Sequence, residues 1–215
     1  EQSYIVSKSN PKNKNFDVLV VAKRNIENAL IPSSIKEISS YSFDTCKQLK
    51  TINFDNLSKL TTISKHSFSN SSINTISIPS KVITIGCYSF YNCNQLTKIE
   101  FTEDSKLQTI GKQAFSNSSL KCISIPLSVI EIGDFAFYNC TKLTNVNFPS
   151  ECKLLSINDH MFDCSSLKTI LIPPQIRRIG KFSFAHCKNL KNVDFSERSK
   201  IQSIENYTFA YSSIE

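Results

Sequence analysis

The sequence has no run of 18 apolar residues, no tryptophan, only four glycines and few arginines. Without a long apolar run, no segment is predicted to span a membrane. The P-loop, the dinucleotide-binding G-x-G-x-x-G and the metalloprotease H-E-x-x-H signatures are also missing. These absences favour a protein without catalysis, cofactor or metal. The scarcity of arginine, with no aromatic residues interleaved among the lysines, argues against nucleic acid as a partner.

A strict repeat built on phenylalanine dominates the chain. The distance between successive members of one set alternates between 25 and 22 residues: Phe43, Phe68, Phe90, Phe115, Phe137, Phe162, Phe184 and Phe209. An isoleucine stands five residues before each member, and a leucine or isoleucine follows five or six residues after it. A period of roughly 20–29 residues is typical of a solenoid. The repeat therefore predicts stacked coils of alternating length around a spine of eight buried rings.

The segments between the phenylalanines have the pattern of short strands. The L-x-x-I-x-I stretches are β-branched and alternating, which predicts strands with one face inward. Pro79, Pro126 and Pro173 follow three of these stretches and should end them. Corresponding strands of successive coils should pair in parallel, about 4.8 Å apart. The [VIL]-x-x-I stretch predicts a second, shorter strand, and the segment around each phenylalanine predicts a helical or 3₁₀ turn.

The repeat divides the chain into two regions. Residues 1–29 break the pattern and are predicted to form a degenerate N-terminal capping coil. Residues 30–215 hold the eight phenylalanine-anchored coils, of which the last is truncated. The sequence stops at Ile214 and Glu215, where a further strand should begin, and this favours a fragment of a longer chain.

The chain resembles a known family over about residues 30–215, and one stretch shows the family's pattern most clearly. It comprises Ile125, Pro126, Val129, Ile132, Gly133, Ala136, Phe137, Cys140, Leu143 and Val146. This string resembles the BspA-like (Treponema-pallidum-type) leucine-rich repeat. The resemblance implies a right-handed leucine-rich-repeat solenoid, rich in β-structure, with a parallel concave sheet. It also implies a cell-surface protein of a host-associated bacterium or anaerobic protozoan, linked to adhesion and without catalytic residues. Frequent lysine, asparagine and isoleucine indicate an AT-rich genome and favour a protozoan parasite.

The eight cysteines do not follow the pattern of a disulfide framework. Cys46, Cys93, Cys140 and Cys187 share one position in every second coil, so they should lie about 10 Å apart. Bridging requires Cα atoms within about 7 Å. Buried free thiols are therefore predicted, although Cys164 lies close enough to the line of Cys140 and Cys187 to leave one bridge open.

The histidines do not suggest a catalytic or metal site. His66, His160 and His186 fall at different offsets from their phenylalanines and on different coils, whereas metal ligands must converge within a few ångströms. His186 and Cys187 are adjacent in a turn, where their side chains should point apart. We therefore expect neither a metal nor a cysteine–histidine nucleophile.

Outward-facing strand residues form the first candidate binding surface. They should line the concave sheet and comprise Asn53, Ser77, Lys98, Glu100, Ser124, Asn147, Leu171 and Asp194. This row is polar and nearly free of the tryptophan, tyrosine and arginine that dominate binding hot spots. A solvated face is therefore the competing interpretation.

A regular series of lysines forms the second candidate surface. It comprises Lys59, Lys106, Lys153 and Lys200. Their common spacing predicts a ladder with steps of roughly 10 Å. With a net charge of +7, this ladder is suited to a linear polyanion such as a sulfated glycan, unless it is only a solvated loop inherited by each coil.

Together these features predict a non-enzymatic recognition or adhesion module that binds a host cell-surface or extracellular-matrix protein. The predicted location is the cell surface or the secreted fraction. Two alternatives remain at this point: an intracellular, cytoplasmic scaffold for protein interactions, and a binder of sulfated glycans through the lysine ladder.

Overall fold

The computed structural model describes residues 3–214, which form a β-solenoid of about eight coils. Most coils contribute one strand of three or four residues and one strand of two residues. No helix occurs within residues 3–214. The helical or 3₁₀ turns expected around each phenylalanine are therefore wrong, and irregular turns take their place.

The longer strands follow the alternating pattern, with every second side chain buried. They are β3 (Asn28–Ile31), β5 (Thr51–Phe54), β7 (Thr75–Ile78), β9 (Lys98–Phe101), β11 (Cys122–Ser124), β13 (Asn145–Asn147), β15 (Thr169–Ile172) and β17 (Asn192–Phe195). Hydrogen-bonded parallel pairs join β3 to β5, β7 to β9, β11 to β13 and β15 to β17. Strands β7, β11 and β15 end just before Pro79, Pro126 and Pro173, as expected. Proline ends a strand because it cannot donate a hydrogen bond to the neighbouring strand.

The two-residue strands each end on the isoleucine that precedes the phenylalanine by five residues. They are β4 (Glu37–Ile38), β6 (Thr62–Ile63), β8 (Thr84–Ile85), β10 (Thr109–Ile110), β12 (Glu131–Ile132), β14 (Ser156–Ile157), β16 (Arg178–Ile179) and β18 (Ser203–Ile204). Strands β4, β6, β8, β10 and β12 continue one parallel sheet, and β14, β16 and β18 form another. The second, shorter strand of each coil is thus present.

A hairpin precedes the regular coils. Strand β1 (Tyr4–Ser7) pairs antiparallel with β2 (Val18–Ala22), and β2 pairs parallel with β4 in the register Leu19 to Ile38. Strand β3 places Ala29 opposite Ile52 of β5. Residues 3–31 therefore supply both strand positions of a coil and add an antiparallel edge. Glu1, Gln2 and Glu215, at the outer ends of the two predicted regions, lie outside the described residues.

The core is a column of phenylalanine rings. All eight members of the predicted spine stack on their neighbours, with centroids 5.0–5.6 Å apart and interplanar angles of 3–16°. The first seven are completely buried. Leucine and isoleucine side chains of both strand types surround this column. Offset stacking of this kind is favourable beyond the area that each ring buries.

Each turn around a phenylalanine contains two non-glycine residues in the left-handed region. One stands two positions before the phenylalanine, and the other stands two positions after it. For Phe90 these are Tyr88 (φ 57°) and Asn92 (φ 56°). The turn is held to the next coil by backbone bonds, such as Phe90 N to Ala114 O at 2.8 Å and Asn92 N to Ser116 O at 2.9 Å. A left-handed residue with a side chain is uncommon, and these bonds between coils offset its strain.

Candidate recognition surfaces

The outward row of the longer strands lies where the sequence places it. Strand pairing puts Ser77 beside Glu100, Ser124 beside Asn147, and Leu171 beside Asp194. All eight predicted residues of the row are exposed. Ser77 Oγ donates to Glu100 Oε2 at 2.8 Å, and Asn147 Nδ2 donates to Ser124 Oγ at 3.3 Å. Several neighbours in the row therefore bond to one another across coils.

A shallow cavity of about 470 Å³ lies in the middle of this face. Its lining includes Lys98, Glu100, Cys122 and Ser124. Lys98 and Glu100 form a salt bridge, which lowers the pKa of the carboxyl and raises that of the ammonium. Both groups are well exposed, so solvent screens this pair and its contribution to stability is small. The cavity offers paired charges and one free thiol to a ligand.

The lysine ladder occupies one position in every second coil. All four lysines are exposed. The backbone nitrogens of Lys59 and Lys106 donate to Ser33 O at 3.2 Å and Ser80 O at 2.8 Å in the coil before. Within residues 3–214 none of the four ammonium groups forms a salt bridge. They are thus available for an anion.

A third surface is an aromatic row that sequence reasoning missed. It occupies the left-handed position two residues before each core phenylalanine: Tyr41, His66, Tyr88, Gln113, Phe135, His160, Phe182 and Tyr207. Rings stack in two runs on either side of Gln113. In the first, His66 lies 4.9 Å from Tyr41 and 4.7 Å from Tyr88.

The second run is longer. The ring of His160 stacks 4.3 Å from Phe135 and 4.8 Å from Phe182, and Phe182 stacks 5.0 Å from Tyr207. Tyr41 and Tyr207 are 49% and 65% exposed, and the rings between them are half-buried. The row thus shows two stretches of aromatic area to solvent, one on each side of Gln113.

Further side chains widen the aromatic row. Tyr91 packs edge-on against Tyr88 at 5.8 Å, and Tyr138 packs in the same way against Phe135 at 5.7 Å. The ammonium of Lys112 lies 5.7 Å from the Phe135 ring centroid. Burial in the stack lowers the pKa of His66, and nearby Lys65 lowers it further, which favours the neutral imidazole. The surface therefore combines aromatic rings with peripheral cations.

One signal in the sequence marks the aromatic row. The residue two positions before each core phenylalanine is tyrosine, phenylalanine or histidine in seven of eight coils. The left-handed backbone at each position sets the direction of these side chains, and nothing in hydrophobic periodicity predicts that conformation.

The cysteines that share one position are buried free thiols, as predicted. Cys93 Sγ donates to Phe68 O at 3.0 Å, and Cys140 Sγ donates to Phe115 O at 3.1 Å. Burial raises the pKa of Cys93 to about 12 and that of Cys140 to about 11. Cys164 is also free, which closes the possibility of a bridge there. Serine occupies the same position in the intervening coils, as Ser71 and Ser118 do. Cysteine therefore recurs at this position only in every second coil.

The expectation that the histidines do not converge is wrong for two of them. His160 Nδ1 lies 2.9 Å from Asp163 Oδ2, and His186 Nδ1 lies 3.0 Å from Asp163 Oδ1. Their offsets differ because they approach the carboxylate from two adjacent coils. His186 points outward, whereas Cys187 is buried and donates to Phe162 O at 3.2 Å, so these neighbours point apart as expected.

No helix long and apolar enough to cross a bilayer occurs in the described part of the chain. The BspA type leucine rich repeat region matches residues 20–129 and 108–215, in six copies. No curated protein matches the sequence.

Several solved structures resemble this fold. The pneumococcal vaccine antigen PcpA shares 27% identity at a TM-score of 0.61, and the match covers 80% of this chain but 51% of that one. The present chain thus spans about half of that structure. A leucine-rich cell surface protein of Faecalibacterium prausnitzii shares 18% identity at a TM-score of 0.51, and the match covers 98% of this chain and 78% of that one. The Treponema pallidum leucine-rich repeat protein shares 19% identity at a TM-score of 0.54, and the match covers 94% of this chain and 81% of that one.

Proposed function

The chain belongs to the BspA type leucine-rich repeat family, and we propose that it is a non-enzymatic recognition module of the cell surface that adheres to a host matrix or cell-surface protein. One observation carries this proposal: the stacked aromatic row that the solenoid holds outward. Tyrosine is enriched at protein interfaces because its ring is large and rigid and ends in a hydroxyl. The surface location is supported by the cell-surface protein and the vaccine antigen among the similar structures.

We place the main contact on the aromatic row and a second contact on the outward row of the longer strands. The aromatic rings are already stacked, so a partner orders few side chains on binding, and this lowers the entropic cost. The cavity beside Lys98 and Glu100 adds a polar site to the second surface. The two rows lie on different segments of each coil, so substitutions can separate them.

Binding of the purified chain to immobilised matrix proteins, such as collagen and laminin, over a salt series tests the proposal. We expect binding that persists at moderate salt and weakens at least about tenfold in Tyr88→Asn/Phe182→Asn, the loss of two hot-spot rings. Asparagine suits the left-handed backbone at these positions. Gln113→Asn changes the one coil of the row without a ring and is the matched control.

Lys98→Ala/Glu100→Ala measures the contribution of the second surface. If it abolishes binding while the aromatic variant binds normally, the contact lies on the longer strands and the aromatic assignment is wrong. If the chain binds no matrix or cell-surface protein, adhesion is contradicted and the intracellular scaffold becomes the better interpretation.

The lysine ladder supports a second candidate, the binding of a sulfated glycan. Its four ammonium groups stand at a common position in every second coil without salt-bridge partners in the described residues. Binding to immobilised heparin should then fall steeply between low and moderate salt, because screening weakens exposed charge pairs. Substitution of the four ladder lysines by alanine should abolish heparin binding. The control variant carries alanine at Lys47, Lys121, Lys168 and Lys191, so its net charge changes by the same amount while the ladder stays intact.

A further inference from the structure

A compact group of potential metal ligands lies at the turn face of the coils around Phe162 and Phe184. Ligand atoms of Asp163, Cys164 and His186 all lie within 4.8 Å of one another. Asp163 Oδ1 is 3.0 Å from His186 Nδ1 and 3.4 Å from Cys164 Sγ. Ligands held about 2.0–2.3 Å from a tetrahedral zinc ion are separated by comparable distances. A small rearrangement of these three side chains would therefore accommodate an ion.

The carboxylate at the centre of this group lacks a permanent cation. The side chain of Asp163 is only 7% exposed, and within residues 3–214 only histidines form salt bridges with it. A buried carboxylate is costly unless a cation or several hydrogen bonds compensate it. A bound divalent ion would supply this compensation directly.

The surrounding structure holds the ligands in place. Cys164 N donates to Ala185 O at 2.9 Å, and His186 N donates to Ala210 O at 2.8 Å. The His186 ring stacks 5.0 Å from Tyr211. His160 stacks between two phenylalanines and bonds the second carboxylate oxygen, Oδ2 of Asp163. Bonds of this kind orient ligands and are part of well-formed metal sites.

The other coils show that this residue set is a local departure from the repeat. The position of Cys164 and His186, two residues after the core phenylalanine, is asparagine in four coils: Asn70, Asn92, Asn117 and Asn139. The asparagines bond to one another, as Asn92 Nδ2 does to Asn70 Oδ1 at 2.8 Å. Asparagine tolerates the left-handed conformation better than most residues. A thiol and an imidazole replace it only beside the buried Asp163.

We propose that Asp163, Cys164 and His186 bind a zinc-type divalent cation, with His160 as the positioning residue for the Asp163 carboxylate. Mixed sulfur, nitrogen and oxygen ligands suit zinc rather than calcium or magnesium. The Cys164 proton is released to solvent when the thiolate coordinates the ion. His186 is 43% exposed, so a water molecule can complete the coordination. This inference is independent of the proposed adhesion.

Calorimetric titration with zinc chloride tests the site on the reduced, chelator-treated chain. A Cys122→Ser background removes the exposed thiol as an adventitious ligand. We expect one ion per chain and an enthalpy that depends on the buffer, because a proton is released. Titration with cobalt chloride should produce a thiolate-to-cobalt charge-transfer band.

Cys164→Asn and His186→Asn are the decisive variants, because each restores the residue that other coils carry at this left-handed position. We expect each to weaken zinc binding at least about tenfold, the scale seen when metal-site partners are removed. The melting temperature without metal should stay the same or rise. His160→Phe removes the hydrogen bond between His160 and Asp163. We expect this variant to weaken zinc binding about 10–100-fold but to keep the cobalt charge-transfer band, because His160 is not a ligand.

His66→Asn is the matched control, because the charge of Asp44 acts on His66, and Asp44 is the counterpart of Asp163 in the first of the eight coils. There Asn70 Nδ2 contacts Asp44 Oδ1 at 3.2 Å, and a threonine replaces the cysteine. This variant should bind zinc as the parent does. Absence of saturable binding, or unchanged binding in Cys164→Asn/His186→Asn, would overturn the proposal and leave the group as a hydrogen-bonded carboxylate.

Discussion

At the residue scale, each coil is organised by one buried ring. Phe115 is fully buried and stacks on two rings, Phe90 at 5.3 Å and Phe137 at 5.5 Å. Phe209 stacks on one ring, Phe184 at 5.6 Å, and is partly exposed. Position along the stack should therefore decide how much a ring contributes to stability.

Substitution of an inner ring should be far more costly than substitution of an outer ring. We expect Phe115→Ala to lower the free energy of unfolding by about 3–5 kcal/mol, because it leaves a large cavity. Phe209→Ala should lower it by about 1 kcal/mol, since the ring is only partly buried. Urea denaturation of both variants measures the difference. Equal losses would contradict a stack in which burial sets the energy.

Glycine has a particular role where neighbouring coils approach closely. A Cβ added to Gly111 would lie 2.4 Å from Cys87 N and 2.7 Å from the carbonyl carbon of Gly86. These are backbone atoms, which cannot move aside as the end of a side chain can. The few glycines of the chain thus mark coil-to-coil contacts, while the left-handed positions are filled by other residues.

At the element scale, the N-terminal hairpin depends on one carboxylate. Asp17 accepts hydrogen bonds from Ser9 N and Ser9 Oγ, both at 2.7 Å, and from Asn13 Nδ2 at 2.8 Å. The Lys36 ammonium lies 3.4 Å away. These groups join the loop of the hairpin to the first regular coil. The bonds from Ser9, with a smaller effect of Lys36, hold the pKa of Asp17 below its ordinary value of 3.8.

The stability of the hairpin should therefore depend on pH in the acid range. Because the pKa is lower in the folded state, the carboxylate stabilises the fold above about pH 4, and this contribution is lost as the pH falls through the lower, folded value. We expect Asp17→Asn to lower the melting temperature at pH 6 and to differ little from the parent under strongly acidic conditions. Asp194→Asn, at an exposed carboxylate of the longer strands, is the control. A pH-independent difference for Asp17→Asn would contradict the assignment.

The turns are the elements that distinguish this solenoid. Their paired left-handed residues let the core phenylalanine point inward while the residue two positions earlier points outward. One short segment thereby builds both the core stack and the aromatic row. The surface proposed for adhesion is consequently tied to the same backbone bonds that hold successive coils together.

At the scale of the whole molecule, stability is distributed between neighbouring coils. Solenoid coils contact only adjacent coils, so the ends open more readily than the middle. In the last described coil, Ile204, Tyr207 and Tyr211 are exposed at 48%, 65% and 76%. Opening should therefore proceed inward rather than in a single step.

The reactivity of the buried thiols measures the order in which the coils open. We expect a thiol reagent to modify exposed Cys122 at once in the folded chain, whereas Cys93, Cys140 and Cys187 react only when their coils open, because they are buried and protonated. In mild denaturant Cys187, which lies nearer the end, should react before Cys140. Mass spectrometry of digested, time-quenched samples measures the order. Simultaneous modification of Cys140 and Cys187 would indicate all-or-none unfolding of these coils.

The sequence alone determined the solenoid, both strands of each coil, the phenylalanine spine and the free state of the shared cysteines. Each depends on which side chains are apolar and at what interval, and stacking identical coils turns such intervals directly into neighbours. Tertiary structure decided the backbone of the turns, and with it the aromatic row and the convergence of His160 and His186 on Asp163. These features require left-handed conformations that only hydrogen bonds from the adjacent coil hold in place, so no local pattern of polarity specifies them.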